Sequence, residues 1–268
     1  MNTDYDSWAD IYDEVYSFVD YDINFYLQKA SGIKGNILEI GCGTGRITIP
    51  LMENGATITG IDSSQRMIER LETKTASTKV PIKIIRQDVR TLELSQKFSL
   101  VIFPYRGFQS LLTVEDQIKA LNSLRNHLKP GAHLIITLFV PSRDLFDQRP
   151  DIFYHLRNSR HKKGNGYRSL HHRTEFDRHN QLLHTQISIT EHIDNHLISK
   201  RYADFTLKYL YTNEARYLFE YCGFRIEEIA GEKAGIIKLG IPVYCANQQA
   251  SKDGYFSRRV VAYNLRLA

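Results

Sequence analysis

Cysteine and long apolar runs are scarce in this sequence. Its 268 residues include three cysteines, Cys42, Cys222 and Cys245. An odd number of widely spaced thiols does not suit a disulfide framework or a Cys-rich zinc site. The longest apolar run, Leu134 to Val140, is interrupted by Thr137 and is far shorter than the roughly 20 residues that cross a bilayer. We therefore expect no membrane span, no metal site and cysteines that are small buried side chains.

Basic residues are missing from the beginning of the chain. Residues 1–28 contain seven acids and no lysine or arginine, which is the wrong charge for a secretory or mitochondrial leader. The interpretation is a cytoplasmic protein. The remaining composition, with 42% hydrophobic and 24% charged residues, is that of a globular chain long enough to bury a core.

Apolar runs and helical patterns alternate between residues 36 and 140, as in βαβ units that build a parallel sheet. Five strands are predicted: Asn36 to Ile40, Thr57 to Ile61, Ile82 to Ile85, Phe98 to Phe103 and His133 to Val140. Helices are predicted at Thr44 to Glu53, Ser64 to Thr73 and Val114 to Leu128, the last before a Pro-Gly stop. Apolar residues from Trp8 to Val19 recur at helical spacing and predict an amphipathic helix.

The pattern changes after Pro141. Arg168 to Phe176, Leu183 to Ile193 and Arg201 to Tyr211 alternate with period two, which predicts an antiparallel meander. A helix at Asn213 to Cys222 and strands at Phe224 to Ile229 and Arg259 to Leu267 then return to the first pattern. We predict an α/β fold with a Rossmann-like, seven-stranded, mostly parallel sheet covered by helices on both faces. Residues 1–140 and 212–268 would form its core, and residues 141–211 an antiparallel β insertion that serves as a substrate lid or in dimerisation.

The most informative motif follows the first strand and reads Glu39-Ile40-Gly41-Cys42-Gly43-Thr44-Gly45. Glycines at a strand-to-helix turn let the backbone approach a ligand closely. In a dinucleotide site the third glycine would come one residue later, where this chain has Arg46. A pyrophosphate would also be repelled by Glu39, so a cationic ligand fits this loop better.

This motif resembles the first motif of class I S-adenosylmethionine-dependent methyltransferases. Asp62 after the second strand and Asp88 after the third match the family's acidic positions, and Leu128-Lys129-Pro130-Gly131 resembles its turn before the fifth strand. The resemblance implies S-adenosylmethionine as the cofactor, S-adenosylhomocysteine as its product, and no metal. The implied cofactor-binding residues are Tyr12, Glu39, Gly41, Cys42, Gly43, Gly45, Asp62, Ser63, Met67, Asp88, Val89 and Phe103.

The opening segment, Tyr5 to Asp13, and the insertion resemble those of small-molecule N-methyltransferases of the amino-sugar and glycine type. In these relatives an N-terminal tyrosine closes over the sulfonium, a role for which Tyr12 is the first candidate and Tyr16 the second. An aromatic face stabilises a cation by roughly 0.5 to 2 kcal/mol. For Tyr12, packing in the core is an equally good interpretation of the helical spacing.

Arg106, just after the fourth strand, is a candidate catalytic residue that would pair with an acidic group of the methyl acceptor. One residue of the insertion could contact the acceptor or take its proton; the candidates are Arg168, His171, His172 and Arg173, and His171 is the one predicted as catalytic. Eight of the ten histidines lie between residues 155 and 196, among several arginines. No pair of them has the spacing typical of a zinc site, so a solvated basic surface is the main interpretation of this cluster. For Arg106, the alternative is an ordinary surface arginine.

The function hypothesis is methyl transfer to a nitrogen or oxygen of a small-molecule acceptor that carries a carboxylate or phosphate. A homodimer is a further expectation. Two alternatives remain open. An RNA or protein methyltransferase could dock through the basic residues 157–178, although no RNA-binding module is recognisable and nucleic acid is not the expected partner. A protein that binds the cofactor without catalysis is the other.

Overall fold

The structure is a computed structural model that describes residues 4–7, 9–16, 18–78, 82–160, 165–231 and 260–267. Trp8, Cys245 and Arg259, which entered the sequence predictions, lie outside the described residues. Among the residues described, no helix combines the length and the apolar character needed to cross a membrane.

The core of the molecule is one seven-stranded sheet. Its strands are β1 (Ile37–Ile40), β2 (Ile58–Asp62), β3 (Lys83–Arg86), β4 (Phe98–Phe103), β5 (Leu128–Phe139), β10 (Phe224–Gly231) and β11 (Val260–Leu267). Their order is β10-β11-β5-β4-β1-β2-β3. Only β11 among them runs against its neighbours, so the predicted, mostly parallel sheet is confirmed.

Helices cover both faces of this sheet. The helices of the chain are α1 (Tyr12–Tyr16), α2 (Ile23–Ser31), α3 (Thr48–Glu53), α4 (Gln65–Thr75), α5 (Val114–Asn126), α6 (Arg143–Phe146) and α7 (Thr212–Tyr221). Leu121 of α5 and Phe219 of α7 pack in one buried cluster, whereas Tyr26 of α2 and Leu51 of α3 pack in another. Leu38 belongs to the first cluster and Ile37 to the second, because successive strand residues point to opposite faces.

Several predicted boundaries differ from the structure. The N-terminal helix is shorter than the pattern from Trp8 to Val19, since α1 spans Tyr12–Tyr16. The helix after β1 begins at Thr48 rather than Thr44 because residues 44–47 continue the loop as turns. The predicted stop at Lys129-Pro130-Gly131 lies inside β5, where the pairing with β4 is shifted between Phe98 and Leu100.

The insertion between β5 and α7 is a separate antiparallel sheet of four strands. They are β6 (Tyr154–Arg160), β7 (Tyr167–Asp177), β8 (Leu182–Ile193) and β9 (His196–Lys208), in that order across the sheet. The sequence predicts the last three of these, although β9 begins and ends earlier than Arg201 to Tyr211. Strand β6 was missed because its pairing with β7 is irregular between His155 and Arg157, which breaks the period-two pattern.

Candidate active site

The loop after β1 depends on its glycines. Gly41, Gly43 and Gly45 have φ angles of 67°, 53° and 90°, a left-handed conformation that other residues rarely adopt. A Cβ atom on Gly43 would have no atom closer than the oxygen of Gly41 at 4.0 Å, whereas one on Gly45 would lie 2.4 Å from Cδ1 of Leu71. Gly43 therefore borders open space, and Gly45 allows the loop to pack on α4.

A cavity of about 730 Å³ opens beside this loop. Most of the predicted site residues line it: Tyr12, Glu39, Gly41, Cys42, Gly43, Asp62, Ser63, Met67, Asp88, Val89, Phe103 and Arg106. Gly45 and His171 are not among its lining residues. The ends of β1, β2, β3 and β4 thus bring residues that are distant in sequence to one site, as expected at the carboxyl edge of a parallel sheet.

Glu39 is the most deeply buried acid of this cavity. It is 1% exposed and accepts a hydrogen bond of 2.6 Å from Oγ1 of Thr48. Burial raises the pKa of its carboxyl to about 8, because a charged group is poorly solvated in the interior. A cation that entered the cavity would favour the ionised form of Glu39.

Asp62, at the end of β2, holds the glycine loop in place. Its carboxylate accepts hydrogen bonds from the backbone amides of Gly43, at 2.8 Å, and Ser64, at 2.9 Å. Burial raises the pKa of Asp62, although these hydrogen bonds act in the opposite direction.

Asp88 occupies the corresponding place after β3. It accepts hydrogen bonds from the side chain of Arg90, with Nε at 3.0 Å from Oδ1, and Arg90 also contacts Asp116 at 2.8 Å. The hydrogen bonds from Arg90 lower the pKa of Asp88. Three carboxylates, from three consecutive strands, therefore line the cavity on the side of β1, β2 and β3.

Comparison with known proteins gives this arrangement a family. Residues 37–131, which include the glycine loop and all three carboxylates, match the model described as a methyltransferase domain. Residues 37–131 are therefore a methyltransferase domain. The residues present fit S-adenosylmethionine, because the cavity joins a glycine loop with a free approach at Gly43 to carboxylates, among them the buried Glu39, that suit a sulfonium cation.

One relative and two solved structures place the methyltransferase domain among known proteins. YqeM of Bacillus subtilis (strain 168), which is named as a methyltransferase, is 32% identical over 160 residues, or 56% of this chain and 64% of YqeM. An S-adenosylmethionine-dependent methyltransferase from Clostridium acetobutylicum has a TM-score of 0.73 at 18% identity and covers 98% of this chain and 99% of its own. CalS10, an amino pentose methyltransferase from Micromonospora echinaspora with S-adenosylmethionine bound, has a TM-score of 0.62 at 14% identity over 92% of this chain and 89% of its own.

These likenesses differ in what they cover. The chain spans between 38% and 64% of the length of the first three curated relatives that it matches. The two solved structures share the fold over nearly the whole chain, including the part beyond residues 37–131.

The other side of the cavity is aromatic and cationic. Tyr12 and Tyr16 of α1 lie with ring centroids 4.8 Å apart, and Tyr105 meets Tyr16 at 5.5 Å. Arg106 is 3% exposed, and its guanidinium lies 4.9 Å from the ring of Tyr105 and 4.5 Å from that of Phe139. Arg106 is therefore a buried arginine at the cavity, and the surface-arginine interpretation is wrong.

His171 does not reach the cavity, and its placement as a catalytic residue is corrected by the structure. Its ring packs against His155 at 5.2 Å, and partial burial lowers its pKa. The neighbouring His172 points to the opposite face of β7 and is fully buried, near enough to Arg106 for that cation to help lower its pKa to about 4. The sequence predicts that the two histidines face opposite ways, but not which of them faces the interior.

The clustered histidines form no metal-binding group in the part of the chain that the structure describes. Within these residues no three His, Cys, Asp or Glu side chains are grouped to hold an ion.

Sequence reasoning missed several cavity residues. Arg46 was noted only because it replaces a glycine, yet it lines the cavity, lies 5.2 Å from the ring of Tyr105 and donates hydrogen bonds to both carboxylate oxygens of Asp22. Tyr105 itself has a φ angle of 58°, an unusual conformation for a tyrosine. Phe205 to Leu207 of β9 also line the cavity, and no local signal in the sequence places this strand over the site.

Proposed function

We propose that this chain transfers a methyl group from S-adenosylmethionine to a nitrogen or oxygen of a small-molecule acceptor that carries a carboxylate or phosphate. The observation that carries the proposal is the placement of three acids and one buried arginine on different sides of one cavity, whose lining also includes Arg46, Arg86 and Arg90. Glu39 lies on β1, Asp62 ends β2 and Asp88 follows β3, whereas Arg106 follows β4, on the other side of β1. A cationic cofactor and an anionic acceptor would fit these two sides.

The cofactor side accounts for binding. Gly41 and Gly43 would let the backbone approach the methionyl part, and Asp62 and Asp88 would receive the ribose and the adenine, as the resemblance implies. Ser63, Met67, Val89 and Phe103 would surround the adenosyl group, and Cys42 would form part of the wall. Gly45 would contribute by shaping the loop, since its Cβ position faces Leu71 rather than the cavity.

The cofactor supplies a methyl group already bonded to a good leaving group, so the protein has to align the acceptor with it and exclude water. Tyr12 and Tyr16 line the cavity between its two sides. Burial raises the pKa of both phenols, which keeps them neutral and able to donate a hydrogen bond. Tyr12 is the residue we propose to lie against the sulfonium.

The acceptor side combines the buried guanidinium of Arg106 with apolar surface. A guanidinium that is stacked on aromatic rings keeps its N–H groups in its own plane, where they can pair with a carboxylate or phosphate. Phe205 and Leu207 of β9 and Leu111 line the same region and would contact the apolar body of the acceptor. The likeness in fold to an amino pentose methyltransferase agrees with an acceptor of this size.

The experiment is a product assay on pairs of acceptors. Amines and alcohols that carry a carboxylate or phosphate are each compared with their neutral amide or ester, and methylated product is detected by mass spectrometry. Arg106→Gln should raise KM for the anionic member of an active pair and leave the affinity for S-adenosylhomocysteine unchanged. Arg86→Gln is the matched control, because Arg86 also lines the cavity but is exposed and lies at β3.

Two results would contradict the proposal. Equal turnover of the charged and the neutral member would exclude recognition of the anion. Methylation of RNA or of a protein, with none of the small acceptors, would favour the alternative hypothesis that the basic residues 157–178 dock a macromolecule.

The homodimer is likewise proposed. Strand β6 stands at one end of the insertion sheet and pairs there with β7 alone among the described strands, and an open strand edge favours pairing with a second copy. Light scattering after gel filtration should give twice the chain mass of 31.1 kDa, and the monomer mass would contradict it. The cytoplasmic location stays a prediction.

A further inference from the structure

Helix α1 contacts both the core and the insertion, the two parts of the chain that border the cavity. It carries Tyr12 and Tyr16, which line the cavity, and between them two adjacent acids, Asp13 and Glu14. Adjacent residues on a helix point about 100° apart, so these two carboxylates can bind different partners.

Asp13 binds the cofactor side. Its carboxylate accepts a hydrogen bond of 2.5 Å from Oγ1 of Thr44 in the glycine loop and lies 2.8 Å from Nζ of Lys74 on α4. Lys74 in turn donates a hydrogen bond of 2.9 Å to the backbone oxygen of Thr44. The position of α1 is thereby fixed to the loop that borders the cofactor side.

Glu14 binds the insertion. Its carboxylate accepts a hydrogen bond of 3.0 Å from Arg201 on β9 and lies 3.6 Å from Arg168 on β7. Both arginines also contact Glu191 on β8, at 3.3 Å and 2.6 Å. The side chains of Arg168 and Glu191 are 17% and 13% exposed, whereas those of Glu14 and Arg201 are 30% and 36% exposed. This group of charges is therefore partly shielded from solvent, and Glu14 is its contribution from α1.

We infer that Glu14 is a positioning residue that couples the cofactor loop to the insertion through α1. The inference rests on the proposed function, since it concerns how the two sides of the same cavity are brought together. When the cofactor side is filled, Asp13 and Thr44 hold α1 against the loop, and Glu14 holds β9 against α1. Strand β9 supplies Phe205 and Leu207 to the acceptor side, so this chain of contacts would complete the acceptor site once the cofactor is bound.

Hydrogen–deuterium exchange of the full chain tests this without knowledge of the acceptor. Exchange is measured with and without S-adenosylhomocysteine for residues 12–16 of α1 and 196–208 of β9. In the wild type, the ligand should slow exchange in both segments. In Glu14→Gln, it should slow exchange in α1 and lose its effect on β9.

Arg201→Gln removes the same contact from the other partner and should give the same result. Glu175→Gln is the matched control, because it removes a carboxylate from an exposed position of the same sheet; it should behave as the wild type. The melting temperatures of all variants are measured alongside, so that a loss of global stability is distinguished from a loss of coupling.

The outcomes separate the two claims. If the folded wild type does not bind S-adenosylhomocysteine, the proposed function fails and the coupling fails with it. If the wild type binds and β9 does not respond, or if β9 responds equally in Glu14→Gln and Arg201→Gln, the proposed function stands and the inference is overturned.

Discussion

The carboxylate of Asp62 accepts a hydrogen bond of 2.8 Å from the backbone amide of Gly43. This contact joins the end of β2 to the glycine loop after β1, and β1 and β2 are neighbouring strands of the sheet. One acid at the end of β2 thus fixes the backbone that lines the cavity. If an apolar side chain replaced Asp62, the Gly43 amide would lose this hydrogen-bond partner.

Gly43 and Gly45 should respond differently to the same substitution. Gly43→Ala places a Cβ in open space beside the cavity, so it should cost only the roughly 1 to 2 kcal/mol of a left-handed alanine and weaken binding of S-adenosylmethionine. Gly45→Ala adds a clash with Leu71 at 2.4 Å and should lower the free energy of unfolding further. Chemical denaturation and calorimetric titration measure both effects; equal loss of stability in the two variants would contradict the assigned difference.

Glu39 should make stability depend on pH. Its folded pKa of about 8 lies above 4.5, the ordinary pKa of a glutamate side chain, so the folded state binds the proton more tightly than the unfolded state does. The stability from this group is complete below pH 4.5 and is lost as pH rises towards 8. Glu39→Gln should flatten the fall in melting temperature across this window, and a profile parallel to that of the wild type would show that Glu39 does not titrate there.

The same group should link the cofactor to a proton. A cation in the cavity favours the ionised form of Glu39, so at pH 7 binding of S-adenosylmethionine should release a proton. Calorimetric titrations in buffers of different ionisation enthalpy detect this release, which Glu39→Gln should abolish. A binding enthalpy that is independent of the buffer in the wild type would contradict the linkage.

The ion pair of Arg46 and Asp22 should matter more than one on the surface. The two side chains are 17% and 10% exposed, and Asp22→Asn leaves a shielded arginine without its carboxylate. We expect a loss of about 3 kcal/mol or more in the free energy of unfolding. Asp10→Asn is the control, because Asp10 pairs with Arg66 at exposures of 63% and 49% and should cost less than about 1 kcal/mol.

Denaturant titration of the two variants decides this prediction. Similar small losses for Asp22→Asn and Asp10→Asn would contradict it and show that solvent reaches the Arg46 guanidinium.

Gln109 should stabilise the junction between the core and the insertion. Its amide nitrogen donates to the backbone oxygens of Phe139, at 2.9 Å, and Lys208, at 3.1 Å, and its oxygen accepts from the amide of Phe139 at 2.6 Å. Gln109→Leu removes these bonds from a fully buried place and should cost about 1 to 3 kcal/mol for the groups left unpaired. Hydrogen exchange should rise first at the ends of β5 and β9; a uniform rise over the whole chain would contradict a local role.

The sequence is enough to place the residues of β1 and β2 at one cavity, because their signals are local. Glu39 and the glycines belong to one strand and its turn, and Asp62 ends a strand whose apolar run is clear. A parallel sheet brings such strand ends to one edge, so the order of elements is enough to place these residues together.

The acceptor side could not be predicted in the same way. Phe205 reaches the cavity through the packing of a separate sheet on the core, a long-range relationship without a local pattern. His171 and His172 show the limit most clearly, since alternation predicts opposite faces but the choice between them depends on that packing. Strand β6 was missed because its irregular pairing hides the period.

The most direct test of the account is calorimetric titration of the full chain with S-adenosylmethionine and S-adenosylhomocysteine, for the wild type and for Asp62→Ala. The account predicts saturable binding of both ligands by the wild type, and its loss in a variant that circular dichroism shows to be folded. Absence of binding by the folded wild type, or unchanged binding by Asp62→Ala, would contradict the assignment of this cavity to the cofactor.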